Sequence, residues 1–106
     1  MNFLNVRNAN GGYITMFATV MNVVPRQGQW GPQAECACVD DNNETETITV
    51  SLSKPPKVSS LPTVNHIAQR LSFTVKAKQA GSKIYYNGFW NNTAAVPAAL
   101  GTLAGG

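Results

Sequence analysis

A strict alternation of apolar and polar residues near the end of the chain is the feature that most constrains its fold. In "LSFTVKAK", residues 71–78, one alternate set is apolar: Leu71, Phe73, Val75 and Ala77. The intervening set is polar: Ser72, Thr74, Lys76 and Lys78. This period of two residues predicts a β-strand with one face on a core and the other in solvent. A turn at residues 79–82 leads into "KIYYNGFW", residues 83–90, so the two segments are predicted to form an antiparallel hairpin.

Three earlier segments also have the composition of strands. Residues 13–24, "YITMFATVMNVV", are apolar on both alternate sets, which predicts a long strand that is covered on both sides or bent between two sheets and that stops at Pro25. Residues 33–40 and 45–52 alternate around the turn sequence "DDNNE" and predict a second hairpin with an acidic tip. Between the third and fourth strands, apolar residues at helical spacing after Ser60 predict one short helix.

The length of 106 residues corresponds to a single domain. The expected organisation is an N-terminal arm over residues 1–12, a β domain over residues 13–92 and a flexible Ala/Gly-rich tail over residues 93–106. The chain has no apolar run long enough to span a membrane and no start typical of a signal peptide, so a cytoplasmic protein without membrane contact is expected.

The charges are separated along the chain, although the net charge is only +3. All five acidic residues fall within residues 35–46, and all eight lysines and arginines lie outside that segment. Such a distribution is typical of a protein with one cationic face. The acidic hairpin tip is expected to lie away from any polyanion that this face binds.

The residues of catalytic and metal sites are scarce. With one histidine, the chain offers no Ser-His-Asp or Cys-His constellation, and it lacks the glycine spacings of nucleotide-binding loops. Cys36 and Cys38 stand two residues apart on one predicted strand face, where a disulfide between them would be strained, so reduced core thiols are expected. The sequence therefore predicts no enzyme, no cofactor and no metal site.

The order of strand, strand, strand, helix, strand, strand resembles the OB-fold. The segment "ATVMNVVPRQGQWGPQAECACVDDNNETETITVSL" looks like the first three strands of OB-fold nucleic-acid-binding proteins. The expected fold class is therefore mainly all-β, a five-stranded OB-fold Greek-key barrel with one short helix between strands three and four. Among OB-fold families the chain is most similar to the single-stranded DNA-binding proteins, and its uncharged ending "GTLAGG" favours a small phage- or plasmid-type member.

This resemblance implies a protein that holds single-stranded DNA in replication or recombination by base stacking and phosphate contacts, and that forms a homo-oligomer, a dimer or tetramer. In that family the strand runs over the middle strands, between the loop after strand one and the loop after strand four. Transferred to this chain, the resemblance points to seven residues: Arg26, Trp30, Lys76, Lys78, Lys83, Tyr85 and Trp90.

Alternation assigns faces to part of this set. It directs Lys83 and Tyr85 outward and Ile84 and Tyr86 inward. A bulge at residues 87–88 would exchange the faces of the residues after it, so the directions of Phe89 and Trp90 stay open. Two further aromatic residues, Phe17 and Phe73, are expected in the core, and His66 at the surface or in a helix cap.

Two questions about the partner also stay open. The residues do not distinguish DNA from RNA, since recognition of the 2′-hydroxyl depends on how side chains are placed. The alternative to nucleic-acid binding is a protein-interaction or assembly module of the same fold, in which the aromatic hairpin is an oligomer interface.

Overall fold

Five strands close into a β-barrel in the computed structural model, which describes residues 1–29, 31–52 and 61–91. The strands are β1 Ile14–Gly28, β2 Gly31–Asp40, β3 Thr45–Ser51, β4 Arg70–Ala80 and β5 Lys83–Trp90. Their order around the barrel is β1-β2-β3-β5-β4, with β3 and β5 parallel and the other described pairs antiparallel. The expected fold class, a mainly β, OB-fold-like barrel of five strands, is confirmed.

β1 is longer than the sequence predicts, because it continues through Pro25 to Gly28. Its register with β2 shifts between Val20 and Asn22, an irregularity of the kind that a β-bulge produces. Beyond Thr19 the described pairing of β1 is with β2 alone. Pro25 is tolerated in this edge segment because no second strand among the described residues pairs with it there, so its missing N–H removes no hydrogen bond to such a strand.

The β4–β5 hairpin keeps one continuous register, from Ala80 opposite Lys83 to Phe73 opposite Trp90. The Asn-Gly pair at residues 87–88 is therefore not a bulge. Gly88 is instead required by a close backbone approach, since a Cβ at this position would stand 1.9 Å from the carbonyl oxygen of Thr74. Alternation therefore continues to the end of β5 and directs Phe89 outward and Trp90 inward.

The predicted N-terminal arm contains a short helix, α1 Phe3–Arg7, that packs against the barrel. Phe3 and Val6 are fully buried, and the Phe3 ring meets the Tyr86 ring edge-on at 5.0 Å. The backbone N–H of Phe3 donates to the buried carboxylate of Asp40 at 3.0 Å. Phe3 and Val6 thus belong to the same hydrophobic core as the strands.

The helix predicted between β3 and β4 is reduced, within the described residues, to the 3-10 helix Val64–His66. Ala68, with φ of 73°, adopts a left-handed conformation directly before β4, which is incompatible with a continuing helix. The expected cap role of His66 is confirmed, since its Nδ1 accepts a hydrogen bond from the backbone N–H of Thr63 at 3.0 Å. Ser60 lies outside the described residues, as does the expected tail.

The core runs through the whole barrel. Its buried hydrophobic side chains come from α1 and from every strand: Phe3, Val6, Met16, Ala18, Val20, Val23, Ala34, Cys36, Cys38, Ile48, Val50, Phe73, Val75 and Tyr86. Both cysteines are free thiols, and burial raises their pKa to about 11 for Cys36 and about 12 for Cys38. No helix in the described part of the chain is long and apolar enough to cross a membrane.

Candidate nucleic-acid interface

The outward-pointing residues of three adjacent strands form a continuous polar and aromatic surface, here called the β4 face. β4 lies in the middle, between β1 and β5, and supplies Ser72, Thr74, Lys76 and Lys78. The chain at the start of β1 supplies Tyr13, Thr15 and Phe17. The other flank comes from β5 and consists of Lys83, Tyr85, Asn87 and Phe89.

Aromatic rings are exposed on both flanks of the β4 face. Tyr13, Phe17 and Tyr85 have exposed fractions of 50%, 45% and 48%. Phe89 is half-buried, and its ring lies 6.0 Å from the Tyr13 ring at an interplanar angle of 32°. The expectation that Phe17 lies in the core is wrong, because β1 fills the core with the other alternate set, which includes Met16 and Ala18. Phe73 is fully buried, as expected.

The lysines of the β4 face stand beside these rings. The Nζ of Lys76 lies 5.2 Å from the centre of the Tyr13 ring, and the Nζ of Lys83 lies 5.6 Å from the centre of the Tyr85 ring. Lys78, opposite Tyr85 in the β4–β5 register, is exposed. All five acidic side chains belong to the described residues, and none of them is within 4.0 Å of an amino group of these three lysines.

The arginines, by contrast, are paired with carboxylates. Arg7 donates to Glu44 (3.0 Å from Nη2 to Oε1) and to the hydroxyl of Tyr86 (2.9 Å), and this contact holds the pKa of Glu44 below its usual value. Arg26 pairs with Glu35 at 2.5 Å. Along the sequence the basic residues have no acidic neighbours, but within the part of the chain that the structure describes only the three lysines of the β4 face are without a carboxylate partner in space.

Arg70, the third arginine, lies at one end of the β4 face. It donates two hydrogen bonds to Asp41, of 3.2 Å from Nε and 2.6 Å from Nη2, and they hold the pKa of that carboxyl below its usual range. Its guanidinium carbon also lies 4.4 Å from the centre of the Phe17 ring. The acidic hairpin tip therefore reaches the edge of this surface, where its charge is neutralised by Arg70.

The structure brings four of the seven predicted site residues together: Lys76, Lys78, Lys83 and Tyr85. Arg26 lies in the part of β1 that pairs with β2 and not with β4, so it is not part of this surface. Trp90 points to the inner side, where it packs against the core and meets the His66 ring edge-on at 4.6 Å. Trp30 lies outside the described residues.

Three aromatic residues of the β4 face were not predicted from the sequence as site residues: Tyr13, Phe17 and Phe89. A signal existed for the first two, since Tyr13, Thr15 and Phe17 form one alternate set of "YITMFAT", and its threonine marks the outer face. The other set is uniformly apolar and would have been assigned to the core. For Phe89 no sequence signal was available, because its direction depends on the continuous register of β5.

Comparisons of this chain with protein-family models, with curated proteins and with solved structures find no match. Within the described residues, no group of three or more histidine, cysteine, aspartate or glutamate side chains could hold a metal ion. The functional assignment therefore depends on the geometry and charge of the β4 face.

Proposed function

We propose that this protein binds single-stranded DNA with little sequence preference, in replication or recombination, and that the β4 face holds the strand. The observation that carries the proposal is the combination on one face of half-exposed rings with three lysines that have no aspartate or glutamate carboxylate within 4.0 Å. The role requires no catalysis and no cofactor.

Each component of the face suits one part of a single strand. Every base has a π-face, so stacking on Tyr85 or Tyr13 is tolerant of sequence, and ring removal typically weakens binding by about 1–3 kcal/mol per base. Ammonium groups neutralise phosphates and release counterions, which makes the binding dependent on salt. The lysines of the β4 face can do this without first breaking an ion pair, because their amino groups have none among the described residues.

The salt dependence gives a direct test with a fluorescently labelled oligothymidine and an anisotropy readout. If all three lysines contact phosphates, log K should fall with log salt with a slope of about −2.1, from about −0.7 per phosphate contact on a single strand. Between 50 and 200 mM salt the wild type should then lose roughly 20-fold in affinity. The double variant Lys76→Gln, Lys78→Gln should have a slope of about −0.7 and lose only about 3-fold.

A charge-matched control is the double variant Lys54→Gln, Lys57→Gln, whose positions lie outside the described residues. It removes the same net charge but keeps all three lysines that are proposed to contact phosphates, so a slope near that of the wild type is expected if the β4 face alone holds the strand. Equal loss in both double variants would mean that only the overall charge matters. If the folded wild type binds no oligonucleotide at 50 mM salt, the proposal is wrong.

A second candidate, a protein-interaction or assembly module, is favoured by one observation: the apolar side chain of Ile84, next to Tyr85, is 39% exposed. In that case the β4–β5 hairpin would be buried between subunits. Light scattering would then detect an oligomer of the wild type, and the double variant Tyr85→Ala, Ile84→Ser would dissociate it. An unchanged mass with weakened oligonucleotide binding would favour the nucleic-acid role. Competition between DNA and RNA oligonucleotides of the same sequence separates the two polymers.

A further inference from the structure

The register of β1, β4 and β5 arranges the β4 face in successive rows across the three strands. The first row contains Ser72 of β4 and its partner Phe17, and the second contains Thr74 and its partner Phe89. The third contains Lys76 beside Tyr13, and the fourth contains Lys78 and its partner Tyr85. Successive rows are two residues apart, a rise of about 6.8 Å along an antiparallel strand. Each of the four rows holds one ring, and successive rings alternate between the two sides of β4. Phe17 and Tyr13 lie on the β1 side, and Phe89 and Tyr85 lie on the β5 side.

Between the two lines of rings, β4 presents only polar groups. The hydroxyl of Thr74 donates to the side-chain oxygen of Asn91 at 3.0 Å, and the Asn91 amide donates to the hydroxyl of Ser72 at 3.2 Å. The next two rows contribute the amino groups of Lys76 and Lys78. A single strand laid along β4 would pass over the Tyr13 and Phe89 rings, whose centres lie 6.0 Å apart across β4, and would meet hydroxyl or ammonium groups in the rows on either side of them.

The resemblance to single-stranded DNA-binding proteins would direct the DNA over the middle strands of the barrel, β2 and β3. The charges there suit a phosphate chain less well than those of the β4 face. Neither β2 nor β3 contains a lysine or an arginine. A groove beside them is lined by Glu35, which pairs with Arg26, and by Glu46, with Lys83 and Tyr85 on its β5 side. The strands β2 and β3 themselves therefore offer a phosphate chain no cation, whereas the β4 face has complementary charge.

One end of the row of rings is covered in the free protein. The Arg70 guanidinium stands over Phe17, and Asp41 holds it there through two hydrogen bonds. Both side chains are about half exposed, at 51% and 56%, and exposed ion pairs of this kind contribute little to stability. A phosphate can accept the same pair of hydrogen bonds from a guanidinium, so it can take the place of the Asp41 carboxylate.

We propose that the bound single strand runs lengthwise along β4, with stacking positions at Phe17, Phe89, Tyr13 and Tyr85, and that Arg70 exchanges Asp41 for a phosphate at the Phe17 end. This rests on the proposed function and specifies its path. Asp41 is then a competitor of the ligand, and its carboxylate weakens binding although it touches no nucleotide.

The test measures oligothymidine affinity by anisotropy for Phe17→Ala, Asp41→Asn and a control on β3, Thr47→Ala. Phe17→Ala should weaken binding about 5- to 150-fold, the range found for loss of one stacked base. Asp41→Asn should tighten binding about 2- to 5-fold, as expected for release of an exposed ion pair. In an Arg70→Gln background Asp41→Asn should give no such gain. Thr47→Ala should leave affinity unchanged.

Failure of this inference is distinguishable from failure of the proposed function. If the wild type binds and Tyr85→Ala weakens binding, while Phe17→Ala and Asp41→Asn change nothing, the strand does not run along β4 and only the inference is overturned. Weakening by Thr47→Ala would direct the path to the middle strands and would also overturn it. If the wild type binds nothing, the proposed function itself fails. Thermal unfolding establishes that each variant is folded, and Phe17→Leu, which keeps the apolar bulk without the π-face, repeats the ring test.

Discussion

Gly88→Ala is expected to be among the most destabilising small substitutions in this chain. The added Cβ would lie 1.9 Å from the carbonyl oxygen of Thr74 and 2.9 Å from the Cα of Val75, both of which are backbone atoms. To reach a tolerable contact of 3.0 Å, the two strands must separate by about 1 Å. β5 cannot move away from β4 freely, since Gly88 also pairs with Val50 of β3 on its other side.

The magnitude follows from overpacking and lost ladder hydrogen bonds. Overpacking costs about 1–3 kcal/mol, and breaking roughly two backbone hydrogen bonds costs about 1–3 kcal/mol more. The free energy of unfolding should therefore fall by about 4 kcal/mol.

Urea unfolding followed by circular dichroism measures this fall, with Gly81→Ala as the matched control in the same hairpin. Gly81 has φ of 63° and no atom within 4 Å of an added Cβ, so its substitution costs only backbone strain of about 1–2 kcal/mol. If Gly88→Ala loses no more stability than Gly81→Ala, the continuous β4–β5 register is wrong, and residues 87–88 form the bulge that the sequence suggested.

Two further predictions concern α1 and the acidic residues near it. Phe3→Ala should lower the free energy of unfolding by about 3–5 kcal/mol, because the ring is fully buried. Leu4→Ala, on the exposed side of the same helix, should change it by less than about 0.5 kcal/mol. Equal effects of the two substitutions would mean that α1 does not pack on the core. Glu46→Gln should stabilise the protein at pH 7. Burial raises the pKa of the Glu46 carboxyl, and so does its hydrogen bond with Glu44, which means that the fold disfavours the charged form of Glu46. The stabilisation should disappear as the pH falls through the pKa of Glu46, where the wild-type side chain also becomes neutral, and a gain that persists at pH 3 in urea titrations would contradict this cause.

Much of the barrel could be predicted because its signals are local. The alternation of residues 71–78 and 83–86 assigns side chains to two faces without knowledge of any neighbour, and Lys76, Lys78, Tyr85 and Tyr86 all point where it directs them. The hairpin turns were predictable for the same reason, since glycine, aspartate and asparagine mark them directly.

The errors lie where a local signal was ambiguous or absent. Proline at residue 25 ends a strand only if its N–H is needed, and whether a second strand pairs there depends on the closed barrel. Phe17 stands in a segment in which both alternate sets carry large apolar side chains, so Thr15 was only a weak signal that its set faces outward. The helix α1 is too short to give a periodic pattern, and its burial depends on contacts with residues far along the chain, such as Asp40 and Tyr86.

By itself, the sequence determined the strand segments, their two faces and the separation of acidic from basic residues, because these depend on residues next to one another. Only the tertiary structure decided how the charges combine. Arg7 pairs with Glu44, 37 residues away, and Arg70 pairs with Asp41, 29 residues away, so these arginines are neutralised, whereas Lys76, Lys78 and Lys83 have no carboxylate partner among the described residues. The barrel likewise decided that Phe17, Phe89 and Tyr13 join Tyr85 on one surface and that Trp90 does not, because register between strands, not order along the chain, places rings side by side.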